Sequence, residues 1–135
     1  MIAIDTNVFV RLIVDDDPTQ TVWARTLVSA GPIWVSLTVW LETRWALASN
    51  FGLTDSQIHM ALVNILALEN VHSENEAALE TALSLMGQGV DFADALHLTS
   101  TPPDIPFVTF DRAFIRRAKR AGVTGISEPS SHLSR

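Results

Sequence analysis

Short apolar runs alternate with longer amphipathic stretches along this chain. The run that begins at Met1 contains β-branched residues and predicts a strand buried on both faces, as in a parallel sheet. The run that begins at Ile33 predicts a second short buried strand, and the run that begins at Phe107 predicts another strand. Shorter runs around Val71 and Ile126 are candidates for two more strands. Since the stretches between them have helical spacing, the pattern predicts an α/β fold with a parallel sheet of four or five strands.

Capping signals mark where the predicted helices begin. Thr6 and Asn7 suit the cap of the first helix, Asp17 precedes Pro18 at the start of the second, and Thr54 opens a capping-box pattern. Helices are predicted over residues 8–14, 18–30, 39–50, 54–68, 73–86, 91–98 and 112–121. Without a repeat or an internal boundary, a single domain over residues 1–135 is expected, with a loose tail from about residue 129.

The composition excludes several classes of protein. Cysteine is absent, so neither disulfides nor thiolate metal sites are possible. Charged residues, proline or glycine interrupt every apolar run, and no basic segment precedes an apolar one at the N-terminus. We therefore expect a cytoplasmic protein with no membrane span and no signal peptide.

The net charge of −6 conceals a strong asymmetry. Residues 1–111 carry 14 acidic and 3 basic side chains, whereas residues 112–135 carry 1 acidic and 6 basic ones. The basic side chains Arg112, Arg116 and Arg120 are spaced four apart and share one face of the last predicted helix. That stripe predicts contact with RNA phosphates, while Lys119 is better explained as part of a solvated face.

Acidic residues recur where the predicted strands end. Asp5 and Asp111 directly follow strands, so in a parallel sheet both face the same edge, and Glu42 lies near the start of the helix after the second strand. Asp94 is in the first turn of a largely apolar helix, three residues after Asp91. Carboxylates that converge without cysteine or a histidine cluster point to Mg²⁺ or Mn²⁺, which can activate water for attack on a phosphodiester.

Each acid also has a purely structural interpretation. Glu42 could be a solvated helix residue, and Asp91 and Asp111 could cap the helices that follow them. Asp94 is harder to dismiss because apolar neighbours surround it and a buried charge needs a partner. His97 is better explained as a packed or surface residue than as part of the site.

Two other groups of residues have structural interpretations as well. Asp15, Asp16 and Asp17 are better explained as a solvated loop than as a metal clamp. The four tryptophans are mostly candidates for the core, although Trp40 and Trp45 could contribute to an interface with a partner.

Together these residues resemble the PIN-domain ribonucleases, and most closely the VapC-type toxins of bacterial toxin–antitoxin pairs. The resemblance covers nearly the whole chain, and it rests on the order and spacing of its segments rather than on any one of them. The segments are Ile4-Asp5-Thr6-Asn7, Ser36-Leu37-Thr38-Val39-Trp40-Leu41-Glu42, Asp91-Phe92-Ala93-Asp94-Ala95-Leu96 and Val108-Thr109-Phe110-Asp111.

The resemblance implies a three-layer α/β/α fold and a single-strand endoribonuclease that depends on Mg²⁺ or Mn²⁺. It also implies a homodimer inhibited by a cognate VapB-type antitoxin. It places four acids in the catalytic metal site, leaves open whether Asp91 joins them, and assigns a supporting role to three polar residues. The acids are Asp5, Glu42, Asp94 and Asp111, and the supporting residues are Thr6, Asn7 and Thr109.

Other functions fit the sequence less well. A dehalogenase-like phosphatase needs a second aspartate two positions after Asp5, where this chain has Asn7, and a receiver domain needs an acidic pair there. Another metal-dependent phosphoesterase, or a catalytically silent module that binds RNA or protein, stays open as an alternative. Metal-dependent cleavage of RNA that is lost on mutating Asp5 would distinguish an enzyme from such a module.

Overall fold

The protein is described from a computed structural model, which places residues 1–133. The chain divides into two compact units, an N-terminal unit of residues 1–76 and a C-terminal unit of residues 77–135. The expectation of one domain over residues 1–135 therefore stays a prediction. Within the described residues, no helix has the length and apolar content that a membrane crossing requires.

The N-terminal unit contains a three-stranded parallel sheet with the strand order β1-β2-β3. In register, Ile2 lies opposite Ile33, and Ile33 lies opposite Val71. The elements in chain order are β1 (Ile2–Ala3), α1 (Thr6–Ile13), α2 (Pro18–Ala30), β2 (Ile33–Val35), α3 (Leu37–Phe51), α4 (Asp55–Leu66) and β3 (Val71–Ser73).

Burial of the strands differs from the prediction at β1. Ile2 is 53% exposed and Ala3 is also exposed, so the prediction that this strand is buried on both faces is wrong. The reason within the unit is that β1 lies at the edge of the three-stranded sheet, whereas β2 is central and buries Ile33 and Val35. An apolar run alone does not tell an edge strand from a central one.

The core of the N-terminal unit is built where α1 packs against α2 and α3. The rings of Phe9 and Trp40 meet edge to face with centroids 4.8 Å apart, and both residues are fully buried. The buried indole Nε1 of Trp40 donates a hydrogen bond of 2.9 Å to Ser73 Oγ at the end of β3. This pair joins α3 to the sheet and satisfies a polar group that burial would otherwise penalise.

The other tryptophans correct the expectation that these residues are mostly core. Trp23 is 72% exposed and Trp45 is 50% exposed, while Trp34 is partly buried. Only Trp40 is fully buried among them. Trp23 was at helical spacing with its apolar neighbours, but the packing of neighbouring elements decided which faces were covered.

The C-terminal unit contains a two-stranded parallel sheet in which Phe107 pairs with Ile126. Phe107 and Phe114 meet edge to face with ring centroids 5.8 Å apart, which packs the sheet against the last α-helix. The elements are α5 (Glu76–Gly87), α6 (Phe92–Thr99), β4 (Phe107–Val108), α7 (Arg112–Arg120), β5 (Ile126–Ser127) and a 3₁₀ helix (Pro129–His132).

The chain is thus an α/β protein, as predicted, with parallel strands and seven α-helices in the described residues. Two details add to that prediction. The five strands described lie in two small parallel sheets, of three and of two strands. Residues 129–132, expected to be loose, form a 3₁₀ helix, and the last two residues of the expected tail lie outside the described residues.

Candidate active site

Asp5 follows β1 and caps the helix after it. Its Oδ1 accepts a hydrogen bond of 3.1 Å from the backbone N–H of Val8, so the N-cap is Asp5 and not Thr6 or Asn7 as predicted. The cap lies one residue earlier because α1 already begins at Thr6. Asp5 is exposed, so the capping contact does not exclude this carboxylate from binding a ligand as well.

Thr6 joins the start of α1 to α3. Its Oγ1 donates a hydrogen bond of 2.7 Å to Glu42 Oε2, across 36 positions of sequence. Glu42 is therefore not merely a solvated helix residue, since one of its oxygens is held by a hydroxyl. Asn7 is exposed and lines a groove of about 360 Å³ with Val8 and Trp23.

Glu74 is an acid at a strand end that lies within the helix predicted over residues 73–86 and is not among the predicted site residues. It directly follows β3, and its Oε1 accepts a hydrogen bond of 2.9 Å from the backbone N–H of Leu37 at the first turn of α3. The signal that could have found it is the one that pointed to Asp5, an acid immediately after an apolar strand. Its contact shows a structural role at the start of α3.

The acids of the C-terminal unit also lie at helix starts. Asp91 Oδ2 accepts a hydrogen bond of 3.1 Å from Asp94 N, and Asp111 Oδ1 accepts one of 3.0 Å from Phe114 N. The backbone N–H of Asp111 in turn donates to Thr109 Oγ1 at 3.1 Å. Asp91 and Asp111 are thus the N-caps of α6 and α7, which confirms the structural interpretation of both without excluding a second role.

The surroundings of Asp94 disfavour the ionised form of its carboxyl group. Burial raises the pKa of its carboxyl, and the negative charges of Asp91 and Asp111 raise that pKa further. His97 lowers that pKa by a smaller amount, and its side chain is exposed, which is one of the two positions predicted for it. A carboxylate with a raised pKa beside two other carboxylates is an arrangement that a bound cation would stabilise.

The structure does not show a complete metal site. Within residues 1–133, no three histidine or acidic side chains are grouped so that they could hold a metal ion. Of the four predicted acids, Asp5 and Glu42 lie in the N-terminal unit, whereas Asp94 and Asp111 lie in the C-terminal unit. Carboxylate oxygens are suitable ligands for Mg²⁺ or Mn²⁺. That the four acids bind one metal ion together stays a prediction.

Two of the three aspartates at positions 15–17, Asp16 and Asp17, are engaged in structural contacts. Asp16 Oδ1 pairs with Arg11 Nη1 at 2.6 Å, and Asp17 Oδ1 accepts a hydrogen bond of 3.1 Å from Gln20 N as the cap of α2. These contacts agree with a loop that begins a helix rather than with a metal clamp.

Helix α7 carries the basic residues along one side of a groove in the C-terminal unit. Arg112 Nε donates to Glu128 Oε1 at 2.7 Å, although the Arg112 side chain is 83% exposed. The groove has a volume of about 420 Å³ and lies between α7 and the segment that follows β5. It is lined by Arg112, Ile115, Arg116, Lys119, Ser127, Glu128 and Ser131.

Two members of the predicted basic stripe, Arg112 and Arg116, line this groove, whereas Arg120 does not. Lys119, which the sequence analysis assigned to a solvated face, does line it. The positions 112, 116 and 119 follow the i, i+4, i+7 spacing of one helical face, so the sequence already contained the signal. The spacing alone did not indicate which segment of the chain forms the opposite wall of the groove.

Comparison with known proteins gives one positive finding. The model of the PIN domain family matches residues 2–120, which is most of the chain. Proteins of this family are generally nucleases that typically use divalent metal ions. No curated protein matches the chain.

Proposed function

Because this chain belongs to the PIN-domain family, we propose that it is a single-strand endoribonuclease that depends on Mg²⁺ or Mn²⁺. We propose further that it acts as a VapC-type toxin. The observation that carries the nuclease proposal is the match to the PIN domain family over residues 2–120, and the grouping of Asp94 with Asp91 and Asp111, whose charges add to burial in raising its pKa, supports it. An enzyme that binds a divalent cation makes use of such mutual repulsion, since the cation relieves it.

Four carboxylates are proposed as the metal ligands: Asp5, Glu42, Asp94 and Asp111. When bound, the metal would supply an activated water and would stabilise the charge that develops on the phosphate. Thr6 orients Glu42 through its short hydrogen bond. Thr109 fixes the backbone at Asp111, and Asn7 is proposed to support the site from the exposed first turn of α1.

RNA is the proposed substrate because the basic residues are concentrated where an acidic catalytic centre would need them. Residues 1–111 carry a net charge of −11, which repels phosphate, and α7 begins directly after Asp111. Arg112, Arg116 and Arg120 are proposed to hold the RNA backbone. Arginines on one exposed helical face provide charge-assisted hydrogen bonds to phosphate without reading the base sequence.

A homodimer and a VapB-type antitoxin are the proposed protein partners. Their support is apolar surface on the N-terminal unit, where Trp23, Trp45 and Met60 are all at least half exposed. Surface of this kind is commonly covered by a second copy or another protein. Light scattering at micromolar concentration should report a dimer, and a monomer without antitoxin would contradict this part of the proposal.

The decisive experiment measures cleavage of a labelled single-stranded RNA by the purified protein with Mg²⁺, with Mn²⁺ and with chelator. The wild type should cleave only with metal, and Asp5→Asn should not cleave while melting at a similar temperature. Binding of RNA without cleavage under all three conditions would instead identify a silent RNA-binding module. Mapping the cut ends of cellular RNA after expression of either form would then identify the target.

A further inference from the structure

The groove beside α7 has a composition suited to one kind of ligand. Arg112, Arg116 and Lys119 present three cations along one helical face. The opposite wall contributes the hydroxyls of Ser127 and Ser131 together with a single carboxylate. Cations on one wall that face hydroxyl donors on the other can together bind phosphate oxygens. A groove for an apolar ligand would need more aliphatic side chains than Ile115 alone.

Glu128 already occupies part of this groove. Its Oε1 accepts from Arg112 Nε at 2.7 Å, although both side chains are partly or largely exposed. An exposed ion pair of this kind contributes little to stability, so stabilising the fold is a weak explanation for placing an acid here. A guanidinium has five N–H donors, and Glu128 holds Arg112 at the groove through only one of them.

Ser127 is held on the other wall. Its Oγ and His132 Nε2 are 2.8 Å apart, a contact that connects β5 to the 3₁₀ helix. The segment expected to be a loose tail is therefore tied to the strand beside α7 and carries Ser131 at the groove. Both walls are thus formed by ordered secondary structure of the C-terminal unit.

We propose that this groove is a binding site for the backbone phosphates of single-stranded RNA, with Lys119, Ser127 and Ser131 as phosphate contacts and Glu128 as a competing internal anion. The proposal deepens, and rests on, the proposed ribonuclease function. In the free protein Glu128 pairs with Arg112. On binding, a phosphate shares or takes over the Arg112 guanidinium, and the charge of Glu128 opposes it. Glu128 consequently limits affinity for RNA.

The experiment compares two single-charge losses on the same helix. Fluorescence anisotropy with a labelled single-stranded RNA, in chelator and in an Asp5→Asn background, measures binding without cleavage. Lys119→Ala should weaken binding about 3- to 10-fold and reduce the slope of log affinity against log salt by about 0.7, the value for one phosphate contact on a single strand. Arg117→Ala is the matched control, because Arg117 is exposed on α7, carries the same charge and does not line the groove.

The carboxylate is tested separately. Glu128→Gln keeps the size of the side chain and an acceptor for Arg112, so it should raise RNA affinity about 2- to 5-fold by removing only the charge, a size typical of an exposed ion pair. In an Arg112→Ala background that gain should shrink, because the competition is for Arg112.

Equal effects of Lys119→Ala and Arg117→Ala, or no gain from Glu128→Gln, would overturn the groove as the RNA site. If polyglutamate displaced the RNA as effectively as unlabelled RNA of equal charge does, the groove would be a site for acidic peptide and the proposal would be wrong. Failure of the ribonuclease function is a different result, since there the wild type would cleave no RNA with either metal. The groove proposal fails on its own when the wild type cleaves but the binding comparison shows no difference.

Discussion

The proposed acids of the N-terminal unit and those of the C-terminal unit are held in different ways. In the N-terminal unit, donors reach the acids, because Thr6 gives Glu42 a hydrogen bond of 2.7 Å and Val8 N–H gives Asp5 one of 3.1 Å. In the C-terminal unit, Asp94 is partly buried beside Asp91 and Asp111, and its pKa is raised. Asp111 accepts a hydrogen bond from Phe114 N as the cap of α7, just as Asp5 does for α1. The units therefore differ at Glu42, which a side-chain hydroxyl orients, and at Asp94, which like charge surrounds.

From this difference we expect two kinds of mutation to affect activity and stability differently. An acid that is oriented by a donor loses function when the donor is removed, with little change in electrostatic stability. An acid that is crowded by like charge loses function when it is neutralised, but the fold gains from the relief of repulsion. The contrast can be tested by four substitutions. The first three follow in order of decreasing effect on cleavage, and the fourth is distinguished by its small effect on the melting temperature.

Asp5→Asn should reduce RNA cleavage by at least about 100- to 1000-fold, as expected when one preorganised electrostatic group is lost. The melting temperature should hardly change, because asparagine also accepts a hydrogen bond as an N-cap. Asp5→Ala is the matched control, since it should lose the same activity and also about 1 kcal/mol of stability with the cap. If both variants unfold, the role of Asp5 is structural.

Thr6→Val should reduce cleavage about 10- to 100-fold, the usual cost of removing a residue that orients a metal ligand. Valine keeps the shape of threonine and removes the donor to Glu42. The control is Thr81→Val, in which the lost hydroxyl bonds only the local carbonyl of Ala77 and activity should stay at the wild-type level. A Thr6→Val enzyme as active as the wild type would show that Glu42 needs no orientation by Thr6.

Thr109→Val should cost less than about tenfold in cleavage, which is below the range expected for losing a direct contact to a ligand. The Thr109 hydroxyl accepts from the backbone N–H of Asp111 rather than contacting its carboxylate. Steady-state rates of Thr6→Val and Thr109→Val, measured side by side, test whether the two units differ as described. A larger loss for Thr109→Val would reverse the comparison.

Asp94→Asn should abolish cleavage but raise the melting temperature slightly at neutral pH in the absence of metal. The folded protein binds the Asp94 proton more tightly than the unfolded chain does, so ionisation of this group destabilises the fold. That penalty is present above the raised pKa and disappears as pH falls through it toward the ordinary value of about 3.9. The advantage of Asp94→Asn should therefore vanish in acid.

Melting curves between neutral and acidic pH, with and without Mg²⁺, measure this effect. Bound metal should stabilise the wild type more than Asp94→Asn, because binding to the folded state adds to stability only where the ligands are present. If Asp94→Asn melts well below the wild type at neutral pH, the carboxylate is a structural element of α6. The difference in melting temperature should be small, since Asp94 is only partly buried.

Local sequence specified some of the helix starts of this protein. The Asp17-Pro18 pair predicts a helix from residue 18 to residue 30, and α2 has those bounds, because a capping side chain and a proline at the first position act within one turn. Thr54 and Gln57 form the predicted capping box for the same reason. The kinds of residue at strand ends, and the basic stretch after Asp111, are likewise present in the sequence itself.

Tertiary structure decided which of these residues meet and which faces are covered. The bond from Thr6 to Glu42 spans 36 positions and depends on how α1 packs against α3. Trp40 is buried and Trp45 exposed because they lie on different faces of α3, a distinction that depends on neighbouring elements. Lys119 lines a groove only because β5 and the 3₁₀ helix form its other wall. Capping acts through neighbouring backbone groups, whereas these contacts join residues far apart in the chain, so no local pattern could specify them.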